Sequence, residues 1–243
     1  MDRKIRVLYR MNVRCGRIAP EWFSNRSCFL NLISSFPSAD IYSVLDNADD
    51  SCVCIMEDPQ TPYESTSLGN PGAYNRLLDI VEDRVGSGEY GRDDIIYFVE
   101  NDYCHRPGSE SALLDAMSFS DYVTLYDHPD KYDVSHYCDG LDYSDIRSQL
   151  FIRPSGYWRT TTSTCMTYAT TAGVLLEDID IHRNFSRAES GGGNIGMYDY
   201  KIFHTLTKDR NRSLVSPLPG YATHGDMLSP YIDGEEMMYY SQP

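Results

Sequence analysis

The sequence predicts an α/β protein with a central, mostly parallel sheet flanked by helices on both faces. Three observations carry this. Short apolar runs alternate with amphipathic stretches along the N-terminal half, as repeated β-α-β units do. The segments between the runs are long enough to hold crossover helices. Polar and ionisable residues follow directly after the runs, at the strand ends where open sheets of this kind bind ligands.

In chain order, Ile5-Arg6-Val7-Leu8-Tyr9-Arg10 reads as a first strand. Phe29, Leu32, Ile33 and Phe36 recur at helical spacing, and Pro37 closes that helix. Ala39 to Leu45 is a second strand, followed by Asp46-Asn47. Ser51 to Met56 is a short apolar run that reads as strand. Tyr74, Leu77, Leu78, Val81 and Val85 define a helix opened by Gly69-Asn70. Ile95 to Val99 is a buried-type strand ending in Glu100-Asn101-Asp102. Ser109 is expected to cap a helix carrying Leu113 and Met117, and Val123 to Tyr126 reads as strand before Asp127-His128. Further on, Tyr157 to Ala172 reads as strand with a polar face, Val174 to Phe185 and Tyr198 to Lys208 as helices, and Leu214 to His224 as strand then loop. One domain over 1–232 is expected, with an acidic, Tyr- and Met-rich tail over 233–243.

The 243 residues carry 21 Lys+Arg against 36 Asp+Glu, a formal charge of −15. Such a chain repels polyanions, so no nucleic-acid partner is expected. Binding an anionic small molecule would need a local arginine, a helix N-terminus or a bound cation. The seven cysteines are odd in number and form no CxxC pair. Reduced thiols and a cytoplasmic setting follow as the expectation. No apolar run approaches the roughly 20 residues of a membrane span.

Four constellations can carry chemistry. Glu100 and Asp102 sit two apart after an apolar strand, and hard carboxylate ligands suit Mg²⁺ or Mn²⁺ bound together with phosphate oxygens. His224, in the Gly-flanked stretch Pro219 to Asp226, can reach the same metal. Trp158-Arg159-Thr160-Thr161-Thr162-Ser163 offers hydroxyl donors beside an aromatic ring for a sugar. Asn70 and Arg76 flank a helix start that can face a phosphate or base. In addition, Asp199 at the head of a helix can deprotonate an acceptor hydroxyl.

Taken together, the second strand ending in Asp46, the helix opened by Gly69-Asn70 and the strand ending in Glu100-Asn101-Asp102 resemble the GT-A fold of nucleotide-diphospho-sugar transferases. The strings Tyr97 to Tyr103 and Asp121 to Tyr132, Trp158-Arg159-Thr160-Thr161 and Pro219 to Gly225 are similar to bacterial and large-DNA-virus glycosyltransferases, including chlorovirus enzymes that build capsid glycans. The resemblance implies a UDP-sugar donor, a glycan or glycoprotein acceptor and Mn²⁺ or Mg²⁺, in the host cytoplasm if the protein is viral. It implies that Asp102 binds the metal and that Glu100 holds the ribose, or the metal through water. Asp46 would meet the base, and Arg10 and Asn70 would line the nucleotide pocket, with Arg76 and Asn101 on the same donor side. His224 would be a late metal or diphosphate ligand. Asp199 falls near the acceptor-side carboxylate, with Glu177 or Asp178 as alternatives because the Glu-Asp form of that motif is absent. Trp158, Arg159, Thr160, Asp127 and His128 would face the acceptor.

Two rivals remain. A nucleotidyltransferase would show a Gly-rich, basic loop after the first strand, where this chain has Met11-Asn12-Val13-Arg14-Cys15-Gly16. A non-catalytic carbohydrate-binding module would bind sugar and release nothing.

Overall fold

The computed structural model describes residues 3–12, 23–57, 60–127, 148–186 and 198–225. Four strands form the parallel half of the sheet: β1 (Ile5–Asn12), β2 (Asp40–Asp46), β3 (Tyr63–Thr66) and β4 (Ile95–Glu100). A short β5 (Tyr103–His105) follows β4, and β6 (Tyr122–Val123) returns to the large sheet. The second half adds β7 (Leu150–Arg153), β8 (Gly156–Thr160), β9 (Tyr168–Thr171), β10 (Leu214–Leu218) and β11 (Ala222–His224). The nine-stranded order is β3-β2-β1-β4-β9-β6-β10-β8-β7, and β11 pairs with β5 in a separate two-stranded sheet. Following the pairings across the large sheet, only β9 and β8 run against the other seven strands.

Alternation along β1 sets both faces, because successive side chains of a strand point opposite ways. Val7, Tyr9 and Met11 join the core beneath α1 (Asn25–Ser35), α2 (Asp50–Glu57) and α4 (Ser109–Ala116). Leu8 faces the other core, beneath α3 (Gly69–Gly86), α5 (Ala172–Asn184) and α6 (Asp199–Asp209). Arg6 and Arg10 share the Leu8 side of that alternation. Phe98 is 1% exposed on the same side, between Tyr74 and Tyr168. Truncating such a ring to alanine costs about 3–5 kcal/mol.

Local chemistry explains most boundaries. Ser24 caps α1 through a reciprocal box with Ser27. Thr171 caps α5 by accepting from Val174 N. Residues 50–57 form a helix rather than the expected strand. Asp49 accepts from the amides of Ser51 and Cys52, which favours a helix start. Cys52, Ile55 and Met56 are then buried at i, i+3 and i+4. Ser109 does not cap α4: Gly108 occupies the N-cap in a left-handed conformation (φ 87°), and the Ser109 hydroxyl donates to Arg106 O and Tyr221 O. The strand expected over Val123 to Tyr126 shrinks to β6, with Tyr126 making one bridge to Ala222. The long run Tyr157 to Ala172 divides into β8, a loop and β9. His128, Asp226 and the tail 233–243 lie outside the described residues.

A buried polar network ties α3 and α5 to the sheet. Tyr122 donates to Asp178 Oδ2 at 2.9 Å, so its oxygen is left to accept from His182 Nε2 at 3.2 Å. His182 Nδ1 therefore accepts from Tyr74, 2.8 Å away, and Tyr74 accepts from Tyr168 at 2.6 Å. Burial pushes His182 down to about 3, so the ring is neutral.

Candidate functional site

The site grows from the point where β4 leaves the sheet. Glu100 ends β4 in register with Arg10 of β1. Arg10 donates to the Glu100 carboxylate, to the Asn70 side chain and, at 2.8 Å, to Asn70 O. The guanidinium lies over the Tyr74 ring, 6.0 Å from its centroid. Burial lowers it to about 10, against the opposing pull of Tyr74 and Asp46, so it is charged at neutral pH. β1, β4 and the start of α3 thus meet on one cation in an acidic protein. Asp46, at the end of β2, accepts from Leu68 N (2.7 Å), Thr66 Oγ1 (2.9 Å) and Asn47 Nδ2 (2.9 Å). It holds the strap that leads into α3 and so fixes where Asn70 stands.

One residue beyond the bend, the second carboxylate meets a different partner. Pairing of β5 with β11 sets His224 opposite Tyr103. His224 Nε2 then lies 2.8 Å from Asp102 Oδ2. The imidazole packs edge-on against Tyr103, with centroids 5.2 Å apart. Gly225 N donates to Asp102 O at 2.8 Å. A Cβ on Gly225 would fall 2.1 Å from the Phe23 ring, so that close approach needs glycine.

These contacts revise the expected metal set. Glu100 turns to Arg10, while Asp102 turns to His224. Among the described residues, no group of three His, Cys, Asp and Glu side chains converges to hold a metal. Asp102 and His224 remain as a two-donor set. Their 2.8 Å separation is close to the ~3 Å between neighbouring corners of an octahedron with ~2.1 Å bonds. One carboxylate plus substrate phosphates is a usual way to hold such an ion.

The loop 161–167 closes one side of this bend. Tyr103 OH donates to Cys165 O at 3.1 Å, and Glu100 N reaches Thr167 Oγ1 at 3.4 Å. Cys165 and Met166 both have positive φ, 49° and 60°, which costs a non-glycine residue roughly 1 kcal/mol each. Asp199 holds that conformation. Its Oδ2 accepts from Ser163 Oγ (2.7 Å) and Thr164 N (2.8 Å); its Oδ1 accepts from Met166 N (3.2 Å) and the Thr164 hydroxyl. Tyr103, Thr167 and Gly225 were not singled out from sequence. For Tyr103, its place directly after the carboxylate pair was the available signal.

Other expected site residues lie elsewhere. Arg76 is held bidentate by Glu64 of β3, at 2.6 and 2.9 Å, rather than joining Arg10. Asn101 turns its amide to Asn12 O (3.0 Å) and Asn25 Oδ1 (2.8 Å), tying β1 to α1. Trp158 is 0% exposed and packs against Phe119, with its indole N–H on Ser155 Oγ; it cannot stack on a sugar. Thr160 closes the β7–β8 ladder through Gln149 N at 2.9 Å, beside the beginning of β10. Arg159 makes a buried ion pair with Asp127 at 2.6 Å. Glu177 and Asp178 stand where β4, β6 and β10 begin: Glu177 pairs with Arg92 and Arg212, Asp178 with Arg212 and Tyr122. That is the opposite end of the sheet from Glu100, so neither can serve the acceptor there.

The large, mostly parallel sheet with helices on both faces is an α/β architecture of the nucleotide-diphospho-sugar transferase type. No protein-family model matches the sequence, and no curated protein matches it either. Among solved structures, a 4-diphosphocytidyl-2C-methyl-D-erythritol synthase is similar over 100% of both chains, with TM-score 0.50 and 12% identity. Two further similarities are weaker. One is a CMP:2-keto-3-deoxy-manno-octonic acid synthetase complexed with CTP (TM-score 0.49, 10% identity, 88% of each chain). The other is a glucosyl-3-phosphoglycerate synthase from Mycobacterium tuberculosis with Mg²⁺ and UDP (TM-score 0.46, 13% identity, 91% of this chain and 71% of that one). No helix among the described residues is long and apolar enough to cross a membrane.

Proposed function

We propose that this chain is a metal-dependent glycosyltransferase that moves a sugar from a UDP-sugar to a glycan hydroxyl. The observation that carries the reading is the bend after β4. Two carboxylates two residues apart diverge there, Glu100 to the buried Arg10 and Asp102 to His224. Asp102 and His224 would hold Mn²⁺, which when bound offsets the charge developing on the departing diphosphate. Arg10 and Asn70 form the wall of the nucleotide side. Asp46, through Leu68 N and Thr66, fixes the strap on the base side. Glu100, anchored by Arg10 and 23% exposed in its side chain, is set to accept from ribose hydroxyls. The protein's contribution is chiefly a fixed polar frame that binds and orients the donor.

The test is UDP binding with and without Mn²⁺, followed by hydrolysis of a panel of UDP-sugars. Mn²⁺-dependent UDP binding and slow UDP release support the reading. Pyrophosphate release from a nucleoside triphosphate with a sugar phosphate would make the protein a nucleotidyltransferase instead. Sugar binding without either release would make it a binding module.

A further inference from the structure

We infer that Asp199 is a positioning residue that holds the loop 161–167 against the metal-binding bend, and not the proton acceptor of the reaction; this rests on the transferase reading above. Both of its oxygens are engaged, each by two donors from Ser163, Thr164 and Met166. Those donors lie on both sides of Cys165 and include Met166 N, and Cys165 and Met166 are the consecutive pair with positive φ. A backbone in that region persists only where its surroundings over-determine it, and here one carboxylate supplies four of the contacts, beside Thr167 N on Thr164 O and Tyr103 on Cys165 O. The opposite side of the same loop reaches the bend twice, at Cys165 O from Tyr103 and at Thr167 Oγ1 from Glu100 N. Tyr103 in turn packs on His224, the partner of Asp102. Asp199 therefore acts on the donor site through the loop. A base would face the acceptor instead.

The substitution Asp199→Asn separates the two roles without an acceptor. The asparagine NH₂ would face two donors, from Ser163 and Thr164 or from Thr164 and Met166, and release that half of the loop. Hydrogen exchange of the amides of residues 100–103 is expected to quicken about 10-fold, with the amides of β1 unchanged. The Kd for UDP in the presence of Mn²⁺ is expected to rise about 10-fold, as when a supporting hydrogen bond behind a metal ligand is lost. Adding Cys165→Gly, which removes the penalty of positive φ at that position, is expected to recover part of the affinity. With a donor substrate, KM should move more than kcat. Ser163→Ala, which leaves the carboxylate intact, should give a smaller change in the same direction. Unchanged exchange at 100–103 in Asp199→Asn overturns the inference whatever UDP does. Wild-type protein that fails to bind UDP with Mn²⁺ sinks the transferase reading. If the wild type binds and Asp199→Asn binds equally well while turnover falls, the carboxylate acts on protons and the positioning role is wrong.

Discussion

His224 Nε2 stands 2.8 Å from Asp102 Oδ2, joining the end of β11 to the bend after β4. The contact depends on main-chain pairing, His224 with Tyr103 and Thr223 with Cys104, and on Gly225 N donating to Asp102 O. Two distant parts of the chain thereby present one oxygen and one nitrogen donor side by side.

Removing the oxygen donor should abolish metal-dependent nucleotide binding while sparing the fold. Asp102→Asn is expected to bind UDP equally with and without Mn²⁺. His224→Ala, which keeps the carboxylate, should lose about 10- to 100-fold in Mn²⁺ affinity. Titration calorimetry of both variants, with thermal melts as the folding control, checks this.

Gly225→Ala should disturb the same contact sterically. The added methyl would sit 2.1 Å from the Phe23 ring, so ring or strand must shift. Mn²⁺ affinity is expected to fall, and Phe23→Ala in the same chain to restore part of it. A Gly225→Ala protein with unchanged affinity and melting temperature would show that the close approach does not govern the site.

Two buried histidines make stability depend on pH. His105 and His182 are both pushed down to about 3 by burial, from 6.5 in the exposed state. Between those values the unfolded chain binds more protons than the folded one, so stability rises with pH. It is complete above about pH 6.5 and falls on acidification by about 1.4 kcal/mol per pH unit for each histidine. Urea midpoints measured from pH 7 to pH 5 should drop accordingly; a flat profile over that window contradicts the assignment.

Tyr122 serves as donor to Asp178 and acceptor from His182. Tyr122→Phe leaves both groups short of a partner in the interior, at a cost of about 1–3 kcal/mol. At this chain length each kcal/mol corresponds to about 2–4 °C in Tm. Tyr63→Phe, at a ring 37% exposed, should change Tm little. Scanning calorimetry of the two variants tests the difference.

Much of the architecture was legible because burial periodicity is local. The α3 stripe from Tyr74 to Val85 and the apolar run at Ile95 announce their elements without any tertiary information. The run Ser51 to Met56 is helix rather than strand because so short a run with Cys, Val, Ile and Met suits either state, and the capping by Asp49 decides between them. At the site, Arg10 of β1 meets Glu100 at the end of β4 and Asn70 at the start of α3. Trp158 and Arg76 do not, because a residue's partner across the sheet or on an edge strand leaves no mark in its own neighbourhood. Glu177 and Asp178 failed for a topological reason: β9 runs against β4, so α5 begins at the wrong end of the sheet.

The most direct measurement is an anomalous difference map from crystals soaked with UDP and MnCl₂. A manganese peak bonded to Asp102 and His224, with the diphosphate on its open side and the nucleoside beside Arg10 and Asn70, is the expected result. A peak elsewhere, or UDP bound with no ion at that bend, would contradict it.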